Sequence, residues 1–497
     1  MANPDASRVH YIPAGACFAD DLVAGIMTKV DDPACMASAM ILLPNRRLTQ
    51  AVRLAFLRYS AGKPQILPRL MAIGDIDTDD ADLVVAGWDA GDLPPVIDPL
   101  ERQFLLARLV HLFRHQNAEK DISQTEAFGL ARALGEFLDQ MQTNGVDFKD
   151  LSDLVTSELA DHWQNILAFL KILTENWPDV LHERGKTDQG IWRDAAIRAR
   201  DKAWQENPPQ GLVIIAGSTG SVPATQALMK TVLTLPQGYL VLPGLDMGME
   251  EEEWGELTTS KDQTVATHPQ FQLARLLNAI AVDRKRVTPW PSPDLDPSDP
   301  TSRLRLLREV MRLSSQTQKW YGLRAHPLPD QAVSGMEMVT CRDRREEARV
   351  IALAMREVLE TPDRTASLIT ADKALGQMVS MELSRWGIGV PSSAGMVLSQ
   401  TKGAQFLRLM AEAWADDFSP QRLLALTQHP YCCGGMDRAQ FRDHMRQIER
   451  QVIRQREDSY QGGGLEASGK GGKDLPRTGK ICKRTANRSV STSFATP

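Results

Sequence analysis

Short apolar runs punctuate the chain at wide intervals. VHYIPAG (9–15), MILLP (40–44), GLVIIAGSTG (211–220), GYLVLPGLD (238–246), MEMVTC (336–341) and ASLIT (366–370) are apolar at successive positions, and most close on Pro or Gly. Strands with one wet face alternate. Runs without alternation fit strands covered on both faces, as in a parallel sheet. Segments of helical spacing separate them, so the pattern predicts an α/β protein. Residues 99–205 differ: PLERQFLLARLVHLFRHQ, EAFGLARALGEFLDQMQ and HWQNILAFLKILTENWPDVL repeat apolar residues every three or four positions with no β run between them. They predict an all-helical insertion.

The pattern divides the chain as follows. Residues 1–98 and 206–283 form one α/β domain around the insertion at 99–205. Residues 284–334, which include TPWPSPDLDPSDP, read as a linker or irregular connection. A second α/β unit begins at 335 and runs to 460. Residues 461–497 carry seven Lys/Arg against two Asp/Glu, seven Gly and no apolar period. They predict a disordered basic tail, either a nucleic-acid arm or the product of a frameshift.

Composition narrows the classes. Over 497 residues, 42% hydrophobic and 24% charged is an ordinary globular balance. The net charge of -6 argues against a uniformly basic surface but leaves room for a local basic groove. No apolar run approaches the ~18 residues of a membrane span, and MANPDASRVHYIPAGA has no basic-then-apolar leader. The six cysteines are scattered, without a C-x-x-C pair. Reduced thiols and a cytoplasmic location are the expectation.

Most candidate chemistry fails on spacing. The single Gly-Lys-Thr, at Gly185-Lys186-Thr187, has Val180 where a phosphate loop needs its first glycine, and a helix precedes it. The first strand–turn–helix, YIPAGACFADDLVAGI, has Gly15 but no lysine. GLVIIAGSTGSVPATQALMK places Gly217 and Gly220 after a strand, and the next strand ends in Asp246, a weak dinucleotide-binding signature whose third glycine position is Pro223. It leaves a nicotinamide-dependent oxidoreductase as an alternative. MEEEEW (249–254) reads as a solvated charge run. No Glu is followed two residues later by Lys, so no restriction-type nuclease site is present.

What remains is AMILLPNRRLTQAVRLAFLRYSAGKPQILPRLMAIGDID (39–77). Asn45, Arg46 and Arg47 follow one apolar run, and Arg69 follows the next, ILP. Ligands collect at the carboxyl edge of open α/β sheets, and helix N-termini with arginine suit phosphates. Solvated arginines are the plainer alternative on local sequence alone.

The order of these pieces resembles the UvrD-like superfamily 1 helicases. ILLPNRR stands where that family contacts single-stranded DNA. Residues 340–410, with Glu346-Glu347-Ala348-Arg349 opening a helix, resemble the start of its second motor domain. There the spacing of Val350, Leu353, Ala354 and Val358 predicts a helix packed on a sheet. Within that superfamily ILLPNRR, ILPRLMAIGDID, ERGKTDQGIWRDAA, IIAGSTGSVPATQALM and VLPGLD most resemble the AddB family of helicase–nuclease subunits, over roughly residues 8–455. The resemblance implies a RecA-like domain with a helical insertion, the start of a second RecA-like domain, and binding to single-stranded or forked DNA. It further implies an AddA-type motor subunit as partner, in double-strand break repair with scanning for the recombination hotspot Chi. The family's phosphate-loop lysine is missing. AGSTGS replaces its Asp-Glu pair, and Pro243-Gly244-Leu245-Asp246 its Gly-Asp. These departures imply a motor fold without ATPase chemistry, with a degenerate nucleotide site at Gly15, Gly217 and Gly220. The family's nuclease domain, with its iron–sulfur cluster and Mg²⁺, would belong to a C-terminal half outside this sequence. No catalytic residue, metal or cofactor is therefore expected here. A protein-only scaffold docking a partner through residues 99–205 is the remaining alternative.

Overall fold

A computed structural model describes residues 8–30, 32–73, 94–116, 122–146, 169–170, 172–260, 262–292, 302–362, 364–392, 395 and 398–453. The basic tail lies outside them. The chain divides into two compact units, Met1–Met336 and Glu337–Pro497.

The first unit is built on a parallel sheet. In chain order its described elements are β1 (Val9–Ile12), α1 (Phe18–Lys29), α2 (Pro33–Ser38), β2 (Met40–Leu43), α3 (Arg46–Tyr59) and β3 (Arg69–Ala72). Then come α4 (Pro99–Gln116), α5 (Gln124–Asn144), α6 (Trp177–Arg184) and α7 (Gln189–Glu206). They lead into β4 (Val213–Ala216), α8 (Pro223–Thr234), β5 (Gly238–Pro243), α9 (Glu251–Thr259), α10 (Phe271–Ala279), β6 (Thr288–Pro289) and α11 (Ser302–Val310). The strands lie in the order β3-β2-β4-β5-β1-β6, every pairing parallel.

β1, β2, β4 and β5 bury both faces, which is why their sequences do not alternate. Ile12, Ile41, Leu43, Ile214 and Val241 face α1 and α3, with Trp290 sealing that side. Val9, Tyr11, Leu42, Val213, Ile215, Leu240 and Leu242 face α8 and α10. Helices on both faces of a parallel sheet are the stable solution for such strands.

The described elements within residues 99–205 are helices joined by short turns, and they have a core of their own, including Leu106, Val110, Leu134, Leu138 and Trp177. A capping box at Ser123 and Glu126 opens α5. The Gly-Lys-Thr triplet is helix-end chemistry: Gly185, at φ +59°, is the left-handed cap of α6, its N–H donating to the His182 carbonyl.

The stretch read as a linker is no free tether. Its described residues include α11 and a 3₁₀ segment at Ser314–Arg324, whose Lys319 pairs with Glu252 of α9 and with its cap residue Glu250.

The second unit departs from expectation. Its described elements are helices: α12 (Arg344–Leu359), α13 (Lys373–Ser384), α14 (Lys402–Ala415), α15 (Pro420–Gln428) and α16 (Arg438–Ile448), with short 3₁₀ and π turns. MEMVTC and ASLIT form no strand, and Met338 and Ile369 are 93% and 95% exposed. A strand exists only through its ladder partners, and no ladder forms among the described residues of this unit. The packed face of α12 is also rotated from the expected one. Ala348 and Ala352 are buried against Leu375, Val379 and Leu383, whereas Leu353 is exposed.

Candidate functional site at the carboxyl edge of the sheet

Parallel pairing delivers the ends of β1, β2, β4 and β5 to one edge, so four turns meet there: Gly15, Asn45–Arg47, Gly217–Gly220 and Gly244–Asp246. Two of these turns open helices whose N-termini carry opposite charge.

After β2 the chain caps α3 with Asn45. Its backbone is extended (φ −161°, ψ 162°) and its Oδ1 accepts the Leu48 N–H at 2.9 Å. Such a cap contributes about 1 kcal/mol. Arg46 and Arg47 are the first two helical residues, both exposed, and no acidic residue stands in that turn. Cations at a helix N-terminus oppose its macrodipole by roughly 0.3–1 kcal/mol each. Helix stability does not explain them, whereas an anion held at that end would gain from the arginines and from the positive end of the helix dipole.

After β1 the situation reverses. The first turn of α1, where a phosphate loop would deliver its ligand, carries Asp20 and Asp21. Cys17 Sγ donates to Asp20 Oδ2 at 2.7 Å, a bond that raises the thiol's pKa. Asp20 Oδ1 also accepts Nε and Nη2 of Arg58 at 3.0 and 2.6 Å, and buried Asp21 accepts the Ser292 hydroxyl at 2.9 Å. Two carboxylates repel phosphate from this helix end.

The glycines of the β4 turn are accounted for by packing. Gly217 has φ +75°, and a Cβ there would lie 2.7 Å from Leu48 Cδ2 and 3.3 Å from Phe18. Gly220 has φ +63°, with Leu276 Cδ1 2.7 Å from the same construction. The backbone of this turn is approached by apolar side chains of α3, α1 and α10, in the place where a dinucleotide fingerprint brings its pyrophosphate.

Asp246 is equally committed. Its carboxylate takes Arg308 through two bonds, 2.6 and 2.9 Å, and Oδ1 also accepts the Gly248 N–H. The ribose role of the oxidoreductase alternative would require breaking this fork.

MEEEEW is solvated only in part: Glu250, Glu251 and Glu252 are exposed, but Glu253 is not. Glu253 is 1% exposed; Oε1 accepts the Leu313 N–H at 3.0 Å and Oε2 lies 3.4 Å from Arg312 Nη1. Arg312 also binds Glu309 at 2.7 Å, Arg284 binds Glu251, and Lys319 reaches Glu250 and Glu252. Partners some sixty residues downstream turn a run of like charge into a fastening for the segment around Arg308–Lys319.

Arg69 does not join the other arginines. It opens β3, pairs in register with Met40, and its N–H donates to the Ala39 carbonyl. The strand starts after Pro68, not before it, because proline brings no N–H to the ladder. Half-buried Arg69 therefore stands at the amino edge. Four residues of strand, roughly 13 Å, lie between it and the turn holding Asn45.

Sequence reasoning missed one polar centre, inside the helical region. Asp188 is fully buried and accepts Trp177 Nε1–H at 2.8 Å and Gln142 Nε2–H at 3.0 Å. Arg102 Nε lies 3.0 Å from its other oxygen, off the line of the N–H, so that contact is coulombic rather than a formed hydrogen bond. These partners are 11, 46 and 86 positions from Asp188, and no local pattern joins them.

Among the described residues no group of three or more His, Cys, Asp or Glu is placed to hold a metal ion, and no helix is long and apolar enough to cross a membrane. No family model and no curated protein matches this chain.

Proposed function

We propose that the chain is a nucleic-acid-binding, non-hydrolysing helicase-like subunit that works beside an AddA-type motor in double-strand break repair. The observation that carries the reading is the reversal of charge between two neighbouring turns: carboxylates at the N-terminus of α1, arginines at the N-terminus of α3. A nucleoside triphosphate is repelled at the first. A phosphodiester backbone is favoured at the second, through Arg46 and Arg47 with Asn45 holding the turn. The strand order is compatible with a RecA-like core, with β5 between β1 and β4 and β3 added at the edge. The helices of 99–205 then correspond to an insertion between β3 and β4, and residues from 337 onward to the start of a second motor domain. An oxidoreductase is disfavoured by the commitment of Asp246 to Arg308 and by the apolar packing at Gly217 and Gly220.

The test is binding to forked DNA over a salt series. Arg46→Ala with Arg47→Ala should weaken affinity at every sequence tested. It should also lower the slope of log affinity against log salt by about 1.4, two single-strand phosphate contacts at roughly 0.7 each. An unchanged slope assigns the arginines to solvent, and absence of DNA binding by the parent chain refutes the reading.

A further inference from the structure

The segment fastened to the turn after β5 carries an aromatic platform. Arg308 of α11 binds Asp246, so α11 meets the sheet at its carboxyl edge. The 3₁₀ segment that follows runs back along α9. Ser315 and Gln316 reach Glu256, and Lys319 reaches Glu252 and Glu250, the cap of that helix. Trp320 and Tyr321 come next, at the end nearer the β5 turn. Trp320 donates its indole N–H to the Glu309 carbonyl at 2.9 Å, which fixes the pair beside Arg308. In the sheet β2 and β5 are two strand spacings apart, about 10 Å. The platform therefore shares its edge with Asn45–Arg47.

What it presents is the face of a ring. Tyr321 is 73% exposed and Trp320 45%. The Arg324 guanidinium lies over the Tyr321 ring, 5.7 Å from its centroid. A Cβ built on the adjacent Gly322 would meet nothing within 4 Å, so the space beside the ring is open. Residues 302–326 contain six Arg/Lys and one Glu. Arg308, Arg312 and Lys319 are committed to carboxylates. Arg305 and Arg324 are exposed, and among the described residues neither has a carboxylate partner. A surface built to cover another protein sets apolar groups around its aromatics. A ring set between such guanidinium groups suits a ligand that offers both a π-face and phosphates.

We propose that Tyr321, braced by Arg324, is a stacking site for an unpaired base of single-stranded nucleic acid. The proposal rests on the nucleic-acid reading above and narrows its ligand class. A duplex keeps its bases stacked on one another and offers Tyr321 no free face, whereas a single strand does. Every base has such a face, so the contact is indifferent to sequence.

The experiment uses the full chain and three fluorescein-labelled probes: an oligothymidine of ~20 nucleotides, longer than most single-strand sites, an abasic strand of equal length, and a blunt duplex. Tyr321→Ala should weaken oligothymidine binding about tenfold and leave the abasic strand and the duplex unchanged. The salt slope should stay that of the parent, because the contact is to a base and not to a phosphate. Tyr321→Phe, which keeps the ring, should bind as the parent does. A strand carrying 5-iodouracil makes the same test without any substitution: irradiation should crosslink it to Tyr321 of the parent, read by peptide mass spectrometry. Unaltered oligothymidine binding by Tyr321→Ala, an equal loss on the abasic strand, or no crosslink at Tyr321 overturns the proposal. A parent dimer that Tyr321→Ala dissociates, with oligothymidine binding unaltered, also overturns it, by assigning the ring to a second copy. Failure here is distinct from failure of the reading above. A slope lowered by Arg46→Ala with Arg47→Ala, together with indifference to Tyr321, removes the stacking site and leaves that reading standing. Loss at Tyr321 with a slope unmoved by the arginine changes keeps the stacking site and takes the phosphate contacts away from α3.

Discussion

Replacing Asp188 by Ala should cost the helical region about 4 kcal/mol. The carboxylate is fully buried at the N-cap of α7 and holds three groups at once: the Trp177 indole N–H, the Gln142 amide and the charge of Arg102, whose side chain is 14% exposed. Removing one member of a buried pair costs roughly 3–5 kcal/mol, because the other charge stays behind. An orphaned buried donor costs roughly 1–3 kcal/mol more. These terms overlap, and Arg102 keeps Asp139 at 2.8 Å on its wetter side, so the total falls near the middle of the first range rather than at the sum. A chain of two compact units is not a two-state system. The informative assay is therefore hydrogen exchange resolved to α4, α5 and α7, where 4 kcal/mol reads as roughly a thousandfold loss of protection in the globally exchanging amides. Asp188→Ala combined with Arg102→Met removes both charges and should recover about half of the loss, the indole N–H remaining unpaired. Protection within fivefold of the parent in the single variant would refute this account. So would a double variant less stable than the single, since the cost would then not lie in the stranded charge.

Five further outcomes follow. Loss of Arg46 and Arg47 lowers the salt slope of forked-DNA binding, as set out above. Glu253→Ala strands Arg312 and frees the Leu313 N–H, so limited proteolysis should open new sites between Ser302 and Arg324 while the sheet stays protected. His10 is held neutral, its pKa lowered to about 4 by burial first and by Lys29 second. The unfolded chain therefore binds the extra proton below pH 6.5, and the stability contribution, complete above that pH, is lost as pH falls from 6.5 toward 4. It amounts to roughly 3 kcal/mol, and His10→Phe should flatten that part of a urea-midpoint profile against pH. Gly217→Ala should lower the thermal midpoint through its positive φ and the approach of Leu48, and calorimetric titration of the parent with NAD should show no heat of binding.

Four of the six strands were legible because double-sided burial leaves an unbroken apolar run, which β1, β2, β4 and β5 all have. β3 was displaced in the reading by Pro68, which ends the apolar run ILP but begins the ladder. β6 is two residues in a proline-rich stretch and leaves no periodic mark. MEMVTC and ASLIT carry the same composition as true strands, yet pairing is non-local and composition cannot supply a partner. At the site, Asn45-Arg46-Arg47 was readable as a cap-and-cation turn. The commitment of Asp246 was not, because Arg308 stands 62 positions away, and the same distance hid the fastening of Glu253. Opposite charge runs at 249–254 and 303–312 were the available signal.

The strand order has a consequence for synthesis. Among the described residues β1 pairs with β5 and β6 alone, and Val9 meets Leu240. At roughly 5–20 residues per second, a ribosome needs about 10–50 s to supply that partner. During this interval VHYI, buried throughout its length in the finished sheet, has no ladder. β2 waits for β4 somewhat less, roughly 9–35 s, and only β3 comes early. The helices of residues 99–205, with their own core, can assemble in the meantime. Nascent chains of this protein therefore carry unsatisfied strand for about half of their translation, and their yield should depend on how long the emerging N-terminus is kept from other chains.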